Sequence, residues 1–252
     1  MTFTGKRVLV TGGARGIGRA IARAFASHGA HVMISYQKDH QAAQDTLKSL
    51  ASGHHSALAG DISQPEFAQT LIEKTVENLG GLDILINNAG IFEAHPIDEV
   101  DYATWQAAWQ RTLAINLTAV ANLSYLAVQE MIKAGGGRIV NVSSRGAFRG
   151  EPESPAYGAS KAALNAMSQS LAKRLAPKRI FVGVVAPGFV DTDMAAESLK
   201  GAKGEEIRSQ SPLNRVAKPE EVAHAVLFLA SKGAEFSTGT IIDVNGASYL
   251  RS

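Results

Sequence analysis

A short apolar run at residues 7–11 leads straight into Gly12-Gly13-Ala14-Arg15-Gly16-Ile17-Gly18, and apolar residues then recur at 17, 21, 22, 25 and 26. The run reads as a strand covered on both faces, and the recurrence has the period of a helix. A strand, a glycine turn and a helix in this order restrict the chain to few architectures. Gly12 suits the tight turn, Gly16 lets backbone approach a pyrophosphate, and Gly18 lets the helix pack closely on the sheet. The helix N-terminus turns its free N–H groups and positive dipole end toward that anion. Three residues separate the first two glycines, wider than in the general G-x-G-x-x-G fingerprint.

The rest of the chain repeats the alternation. Strands are expected at residues 7–11, 32–35, 56–59, 83–87, 138–142, 180–185 and 240–244. Helices are expected at 17–27, about 40–52, 65–79, 102–115, 118–133, 155–176 and 219–230. Pro65 and Pro219 suit first helical positions, and His28-Gly29, Gly80-Gly81 and Gly135-Gly136-Gly137 end helices. Such alternation implies an α/β, doubly wound, seven-stranded parallel sheet with helices on both faces: a single Rossmann-type domain over residues 1–252. Residues 191–213 break the pattern. They are polar, carry two glycines and have weak helical periodicity, which points to a functional loop, a substrate lid.

Composition narrows the chemistry. With no cysteine, disulfides, thiol nucleophiles and cysteine-ligated metals are excluded. A net charge of +2 with both signs interspersed gives no case for nucleic acid. The N-terminus lacks the apolar stretch of a signal peptide, and no apolar run reaches the roughly 18 residues of a membrane span, so a cytoplasmic location is expected. The seven histidines form no metal constellation and read as surface residues.

Tyr157 and Lys161 lie one helical turn apart near the start of the helix at 155–176, so they share a face. A free tyrosine titrates near 10 and is a poor acid–base group at neutral pH. A cation one turn away should pull that value down. Ser144, just past the fifth strand, offers a second hydroxyl to the same oxygen. Asn116 is a polar residue in the apolar run Leu113–Leu117 and needs a buried partner. Asp61 and Asn87 stand at strand ends, where an open parallel sheet binds ligands. Asp61 reads equally as a turn residue, and Asn87-Asn88-Ala89-Gly90 as a plain turn.

The end of the second strand bears on a dinucleotide's ribose. An NAD-specific site needs a carboxylate about 20 residues beyond the glycine turn. Here the chain reads Ser35-Tyr36-Gln37-Lys38, and Asp39 already belongs to the next turn. Ser35, Gln37, Lys38 and, from the other side, Arg15 with its planar fork of donors suit a 2′-phosphate. NADP(H) is favoured over NAD(H).

Taken together, Thr11–Gly18, Asn87–Gly90, Asn116, Ser143-Ser144, Tyr157-x-x-x-Lys161 and Pro187-Gly188-x-Val190-x-Thr192 resemble the classical short-chain dehydrogenase/reductase family over nearly the whole chain. The resemblance implies a catalytic tetrad of Asn116, Ser144, Tyr157 and Lys161. Tyr157 would be the acid–base, and Ser144 would polarise the substrate oxygen. Lys161 would also hold the nicotinamide ribose, and Asn116 would position a relay water. The implied cofactor cleft comprises Gly12, Arg15, Gly16, Ile17 and Gly18, then Ser35, Tyr36 and Gln37, then Asp61 and Ile62. It continues through Asn88, Ala89 and Gly90 to Tyr157 and Lys161, with Pro187, Gly188, Val190 and Thr192 flanking the nicotinamide.

Pro212–Arg215, Pro219–Val222 and Phe228–Ser231 are similar to 3-oxoacyl-carrier-protein reductases, but also to many sugar, steroid and polyol dehydrogenases. The expected partner is a small carbonyl or alcohol substrate, carrier-protein-bound in the first case. The alternatives are an NAD-dependent alcohol, sugar or steroid dehydrogenase and a non-catalytic dinucleotide sensor. Gly183, where asparagine is common, and Val244–Ala247, in place of Asp-Gly-Gly, depart from the family pattern. Lys173, Arg174, Lys178 and Arg179 complement a helix dipole or form a docking patch for an acidic carrier. Trp105 and Trp109 read as packing. Small and apolar residues on the helices at 118–133 and 155–176 suggest pairing across a two-fold axis and a homotetramer.

Overall fold

The structure, a computed structural model, describes residues 1–251. The strands are β1 (Arg7–Val10), β2 (His31–Tyr36), β3 (His55–Ala59), β4 (Ile84–Asn87), β5 (Gly137–Val142), β6 (Ile180–Pro187) and β7 (Ile241–Val244). All pair in parallel, in the order β3-β2-β1-β4-β5-β6-β7. The period of two along each strand feeds two cores. Val8 and Val10 enter one, Leu9 the other; Ile84 and Ile86 join the first, Leu85 the second. The first core is closed by α1 (Gly16–Ser27) and α9 (Pro219–Ala230), the second by α3 (Pro65–Leu79), α5 (Ala119–Lys133) and α7 (Pro155–Leu175). Leu85 is fully buried, and truncating such a side chain to alanine costs about 2–5 kcal/mol.

The order reverses between β1 and β4. In an open parallel sheet this is where a crevice forms outside the carboxyl ends of the strands. The glycine turn after β1 lies at this point, and so does Asn88-Ala89-Gly90 after β4.

Some elements differ from the expectation. The sixth strand runs two residues further, to Pro187, and α2 (His40–Ser49) stops three residues short of 52. Between α4 (Tyr102–Leu113) and α5 the chain winds as a π-helix over Ala114–Thr118, centred on Asn116. A four-residue helix, α6 (Gly146–Arg149), follows Ser144. Residues 191–213 are not all loop, because α8 (Gly201–Ser209) lies within them. Its small buried face, Gly204 and Ile207, explains the weak periodicity.

Candidate active site

The glycine turn is shaped by what its glycines touch. Gly12 and Gly16 have φ of 64° and 52°. A Cβ on Gly18 would lie 2.1 Å from the Gly12 carbonyl oxygen, so only glycine lets α1 start this close to the turn. Arg15, at the N-cap of α1, makes no side-chain cap, which leaves the first N–H groups of the helix free for an anion. The turn is fastened across the switch point by Thr11. Its hydroxyl accepts from the amides of Asn88 and Ala89, both at 3.0 Å, and Asn88 Nδ2 donates to the Thr11 carbonyl at 2.9 Å. The free helix N-terminus and the absence of Cβ atoms at the turn fit a dinucleotide pyrophosphate.

At the end of β2, Ser35 is 1% exposed, Tyr36 is half-buried, and Gln37 and Lys38 are exposed. Asp39, the first acid, is consumed by α2, since its Oδ1 accepts from the Ala42 amide at 2.9 Å. Arg15 is exposed, and its side chain makes no bond to any described residue. Asp61 forms a turn, with Oδ1 accepting from the Ser63 amide and hydroxyl at 2.9 and 2.8 Å, and Ile62 behind it is buried. Burial pushes the Asp61 carboxyl up, but the Ser63 hydrogen bonds, with Gln37 and Lys38 nearby, hold it below its ordinary value. Asn87 does not line the crevice. It is 2% exposed and donates to Asn141 Oδ1 at 2.8 Å, and Asn141 donates on to Ser168 at 2.8 Å, a polar ladder inside the second core.

Tyr157 and Lys161 do share a face of α7. Lys161 is 4% exposed, and its Nζ donates to the Val142 carbonyl at the end of β5 at 2.9 Å and lies 5.8 Å from the Tyr157 ring centroid. Burial pushes this lysine down to about 8. The expectation for Tyr157 is reversed in the free protein. Burial raises its pKa, a hydrogen bond with the Ser144 hydroxyl pulls it down only in part, and Glu151 adds to the rise. Desolvation is the largest cause, and Lys161 is not among the groups that shift the phenol. Ser144 Oγ accepts from the Gly146 amide at 3.0 Å, which the short α6 places there. Ser143 points elsewhere, its hydroxyl on the Lys161 carbonyl.

Asn116 is fully buried and bound to the backbone of Ile91 and to Ser160. Its side-chain amide thus ties the segment that leaves β4 to α7. An added Cβ on Gly90 would meet Asn116 Oδ1 at 3.2 Å and Lys161 Nζ at 3.4 Å, so Gly90, Asn116 and Lys161 converge. Pro187 and Gly188 close the far side, Val190 is buried, and Thr192 reaches back to within 3.3 Å of a Cβ built on Gly16. The residues expected at the glycine turn, β4, α7 and the 187–192 segment therefore surround one crevice.

The family model described as enoyl-(acyl carrier protein) reductase matches residues 12–247. A 3-oxoacyl-[acyl-carrier-protein] reductase of Chlamydia muridarum is 37% identical over 244 residues, 96% of each chain. A short-chain dehydrogenase of Burkholderia cenocepacia, solved in complex with NADP, superposes with a TM-score of 0.87 at 35% identity, covering 98% of this chain and 99% of that one. The chain belongs to the short-chain dehydrogenase/reductase family. It is an oxidoreductase of that family, whose members work with a nicotinamide dinucleotide. A further relative, the cis-4-hydroxycyclohexanecarboxylate dehydrogenase of Sinomonas cyclohexanicum, is 38% identical over 97% of this chain and 96% of its own.

For a member of this family, several residues around Tyr157 escaped the sequence reading. Phe92, 44% exposed, sets its ring edge-on to Tyr157 at 5.0 Å and forms a wall of the crevice. His95 is not a surface histidine. It is fully buried, its Nδ1 lies 2.8 Å from the Glu93 carbonyl, and Ala156 N donates to Nε2 at 3.3 Å, one residue before Tyr157. That bonding requires the proton on Nδ1. His95 also packs against Trp105, which in turn packs on Trp109, so the tryptophans are packing residues as read. A signal was present: the run Ile91-Phe92-Glu93-Ala94-His95-Pro96 directly follows Asn88-Ala89-Gly90. Gly183 also has a local cause, since a Cβ there would meet Leu229 of α9 at 3.0 Å.

Proposed function

We propose that the protein is a cytoplasmic NADP(H)-dependent oxidoreductase interconverting a carbonyl and a secondary alcohol, with 3-oxoacyl thioesters as its substrate class and Tyr157 as the acid–base. The observation that carries this reading is the Ser144 hydroxyl beside the Tyr157 phenol, near enough to lower its pKa, with buried Lys161 behind, its Nζ 5.8 Å from the Tyr157 ring centroid. Two hydroxyls converging on one point suit a carbonyl oxygen that becomes an alkoxide. The similarity to the Chlamydia muridarum reductase supports the thioester class.

When bound, the dinucleotide supplies the hydride to the carbonyl carbon, or accepts it in the reverse direction. Gly12, Gly16, Ile17, Gly18 and the α1 N-terminus would hold its pyrophosphate. Asn88, Ala89, Gly90, Pro187, Gly188, Val190 and Thr192 would enclose the nicotinamide end, with Lys161 on the ribose. In reduction, Tyr157 donates its phenolic proton to the developing alkoxide while Ser144 donates a hydrogen bond to the same oxygen. Burial holds the phenol above its ordinary pKa, so it carries that proton at neutral pH. Lys161, titrating at about 8, is still largely charged there and faces the phenolate left behind. Phe92 shields the proton transfer from water.

NADP(H) is preferred because Arg15 and Lys38 are exposed where a 2′-phosphate would lie, while the first acid beyond β2, Asp39, is tied to α2 and Asp61 is bound to Ser63. Arg15 and Lys38 carry more of this contact than Ser35, which is nearly buried.

A carrier protein would dock at the lid side. Lys173 lies sixteen residues along α7 from Tyr157, roughly 24 Å at helical rise, toward the amino ends of the strands. The basic group at 173–179 therefore faces away from the crevice and serves the helix dipole.

The Sinomonas relative favours a second reading, oxidation of a cyclic secondary alcohol. The test is to assay 3-oxoacyl and 2-enoyl thioesters with NADPH, and cyclic secondary alcohols with NAD and NADP. The proposal expects the 3-oxoacyl thioester with NADPH to give the highest kcat/KM. Faster reduction of the enoyl thioester, faster alcohol oxidation with NAD, or binding of dinucleotide with no turnover of any substrate each overturns it.

A further inference from the structure

Arg145 follows Ser144 directly, and its side chain belongs to neither the tetrad nor the glycine turn. It is 3% exposed. An arginine carries five N–H donors and stays charged in proteins. Among the described residues the Arg145 side chain makes a single hydrogen bond, Nη1 to Ser248 Oγ at 2.6 Å, and its guanidinium carbon lies 5.4 Å from the centroid of the Phe189 ring. Among the described residues no carboxylate forms an ion pair with it. Glu151 acts on it only at a distance, and a near-buried guanidinium with no contact ion pair and donors to spare points to an anion from outside the chain.

Arg145 lines a cavity of about 130 Å³ together with Phe189, Ile207, Ser211, Leu213, Asn245 and Ser248. The other charges in its wall are already paired. Arg215 holds both carboxylate oxygens of Glu221 at 2.7 Å, and Asp243 is held by Arg251 at 2.7 Å. Among the described residues Arg145 is thus the cation in this wall held in no ion pair, with Glu151 the acid whose charge bears on it from beyond ion-pair distance. Asn116, Ser144, Tyr157, Lys161 and the glycine turn do not line the cavity, so it is separate from the crevice that takes the dinucleotide. Its size admits a few waters or one small oxyanion, not a nucleotide.

We propose that this cavity binds a small oxyanion, a carboxylate or phosphate group, on the free face of the Arg145 guanidinium. A planar fork of donors recognises two oxygens of such a group at once. The site joins two parts of the molecule. Ile207, Ser211 and Leu213 come from the lid, whereas Arg145, Asn245 and Ser248 come from the carboxyl ends of β5 and β7, and the Arg145 amide donates to the Pro187 carbonyl at 2.7 Å. An anion here fastens the lid to the sheet.

Calorimetry tests this on the full chain saturated with NADPH, which occupies the Arg15 region and removes it as a competing phosphate site. Inorganic phosphate and acetate are titrated separately, with sodium chloride at matched ionic strength as control. The expected result is saturable binding of one oxyanion per chain, weakened at least ten-fold in Arg145→Met. Saturation by phosphate alone identifies a phosphate site, and saturation by acetate identifies a carboxylate site. No binding beyond the chloride control, or unchanged affinity in the variant, overturns the proposal. Should Arg145→Met fail to fold, wild-type crystals soaked in selenate decide. An anomalous peak about 3 Å from the free guanidinium nitrogens supports the site, and water alone there overturns it.

Discussion

Asn116 and Ile91 are joined twice: the Ile91 amide donates to Asn116 Oδ1 at 2.9 Å, and Asn116 Nδ2 donates to the Ile91 carbonyl at 3.0 Å. The side chain replaces a strand partner for the segment that leaves β4. The π-helix at Ala114–Thr118 turns Asn116 inward to do so. Asn116→Leu strands both Ile91 groups, and each buried group left unpaired costs about 1–3 kcal/mol. A fall of several degrees in Tm is expected, with a weaker affinity for the dinucleotide because Gly90 lies against Asn116. A variant with unchanged Tm would remove this role.

Lys161 gives the pH dependence. Its pKa in the folded protein, about 8, lies below the ordinary 10.5 because burial disfavours the charged form. The cost of burying that charge is present in full below pH 8 and is relieved as pH rises through 8 toward 10.5. Turnover moves the other way. Once Lys161 is neutral, nothing offsets the phenolate, so kcat/KM for carbonyl reduction should fall above about pH 8. Lys161→Arg keeps the charge, and in any active variant the descending limb should move to higher pH. A flat wild-type profile from pH 7 to 9.5 contradicts this.

The proposed preference for NADP(H) puts the cofactor choice on Arg15. Hydrogen bonds between charged groups contribute about 1.5–3 kcal/mol, so Arg15→Ala should raise KM for NADPH by roughly 10- to 100-fold and leave KM for NADH nearly unchanged. Tyr36→Asp should turn preference toward NADH by setting a carboxylate against the phosphate. Equal effects of Arg15→Ala on the two cofactors would sink the assignment.

Assembly follows from what α5 and α7 leave uncovered. Ala119, Leu123 and Ala127 are buried within the chain and offer nothing to a partner. Tyr125 is 67% exposed and Ile132 40%, and Ala162 and Ala166 face outward from α7. A homotetramer is expected in sedimentation, and Ala166→Arg should reduce its mass. Wild-type monomer at micromolar concentration contradicts the expectation.

The fold was legible because its signals are local. Pro65, Gly80 and Pro219 mark helix ends that the structure keeps. Strands buried on both faces show as unbroken apolar runs. Features set by depth were not legible. Asn87 looks like a crevice residue until its bond to Asn141 is seen, and His95 looks like any loop histidine until α7 covers it. The spacing of Tyr157 and Lys161 gave their shared face correctly. It could not show that burial raises the phenol more than the Ser144 hydroxyl lowers it. The short α6 and the weakly amphipathic α8 lack the periodicity that reveals longer helices.

The central claim is that Tyr157 moves the proton. It is tested by Tyr157→Phe, which removes one oxygen and leaves the ring against Phe92. NADPH affinity, read by fluorescence titration, should stay within a few-fold of wild type, and kcat for the carbonyl substrate should fall by about 10²- to 10⁴-fold. A variant that binds NADPH normally and retains most of its kcat contradicts the account.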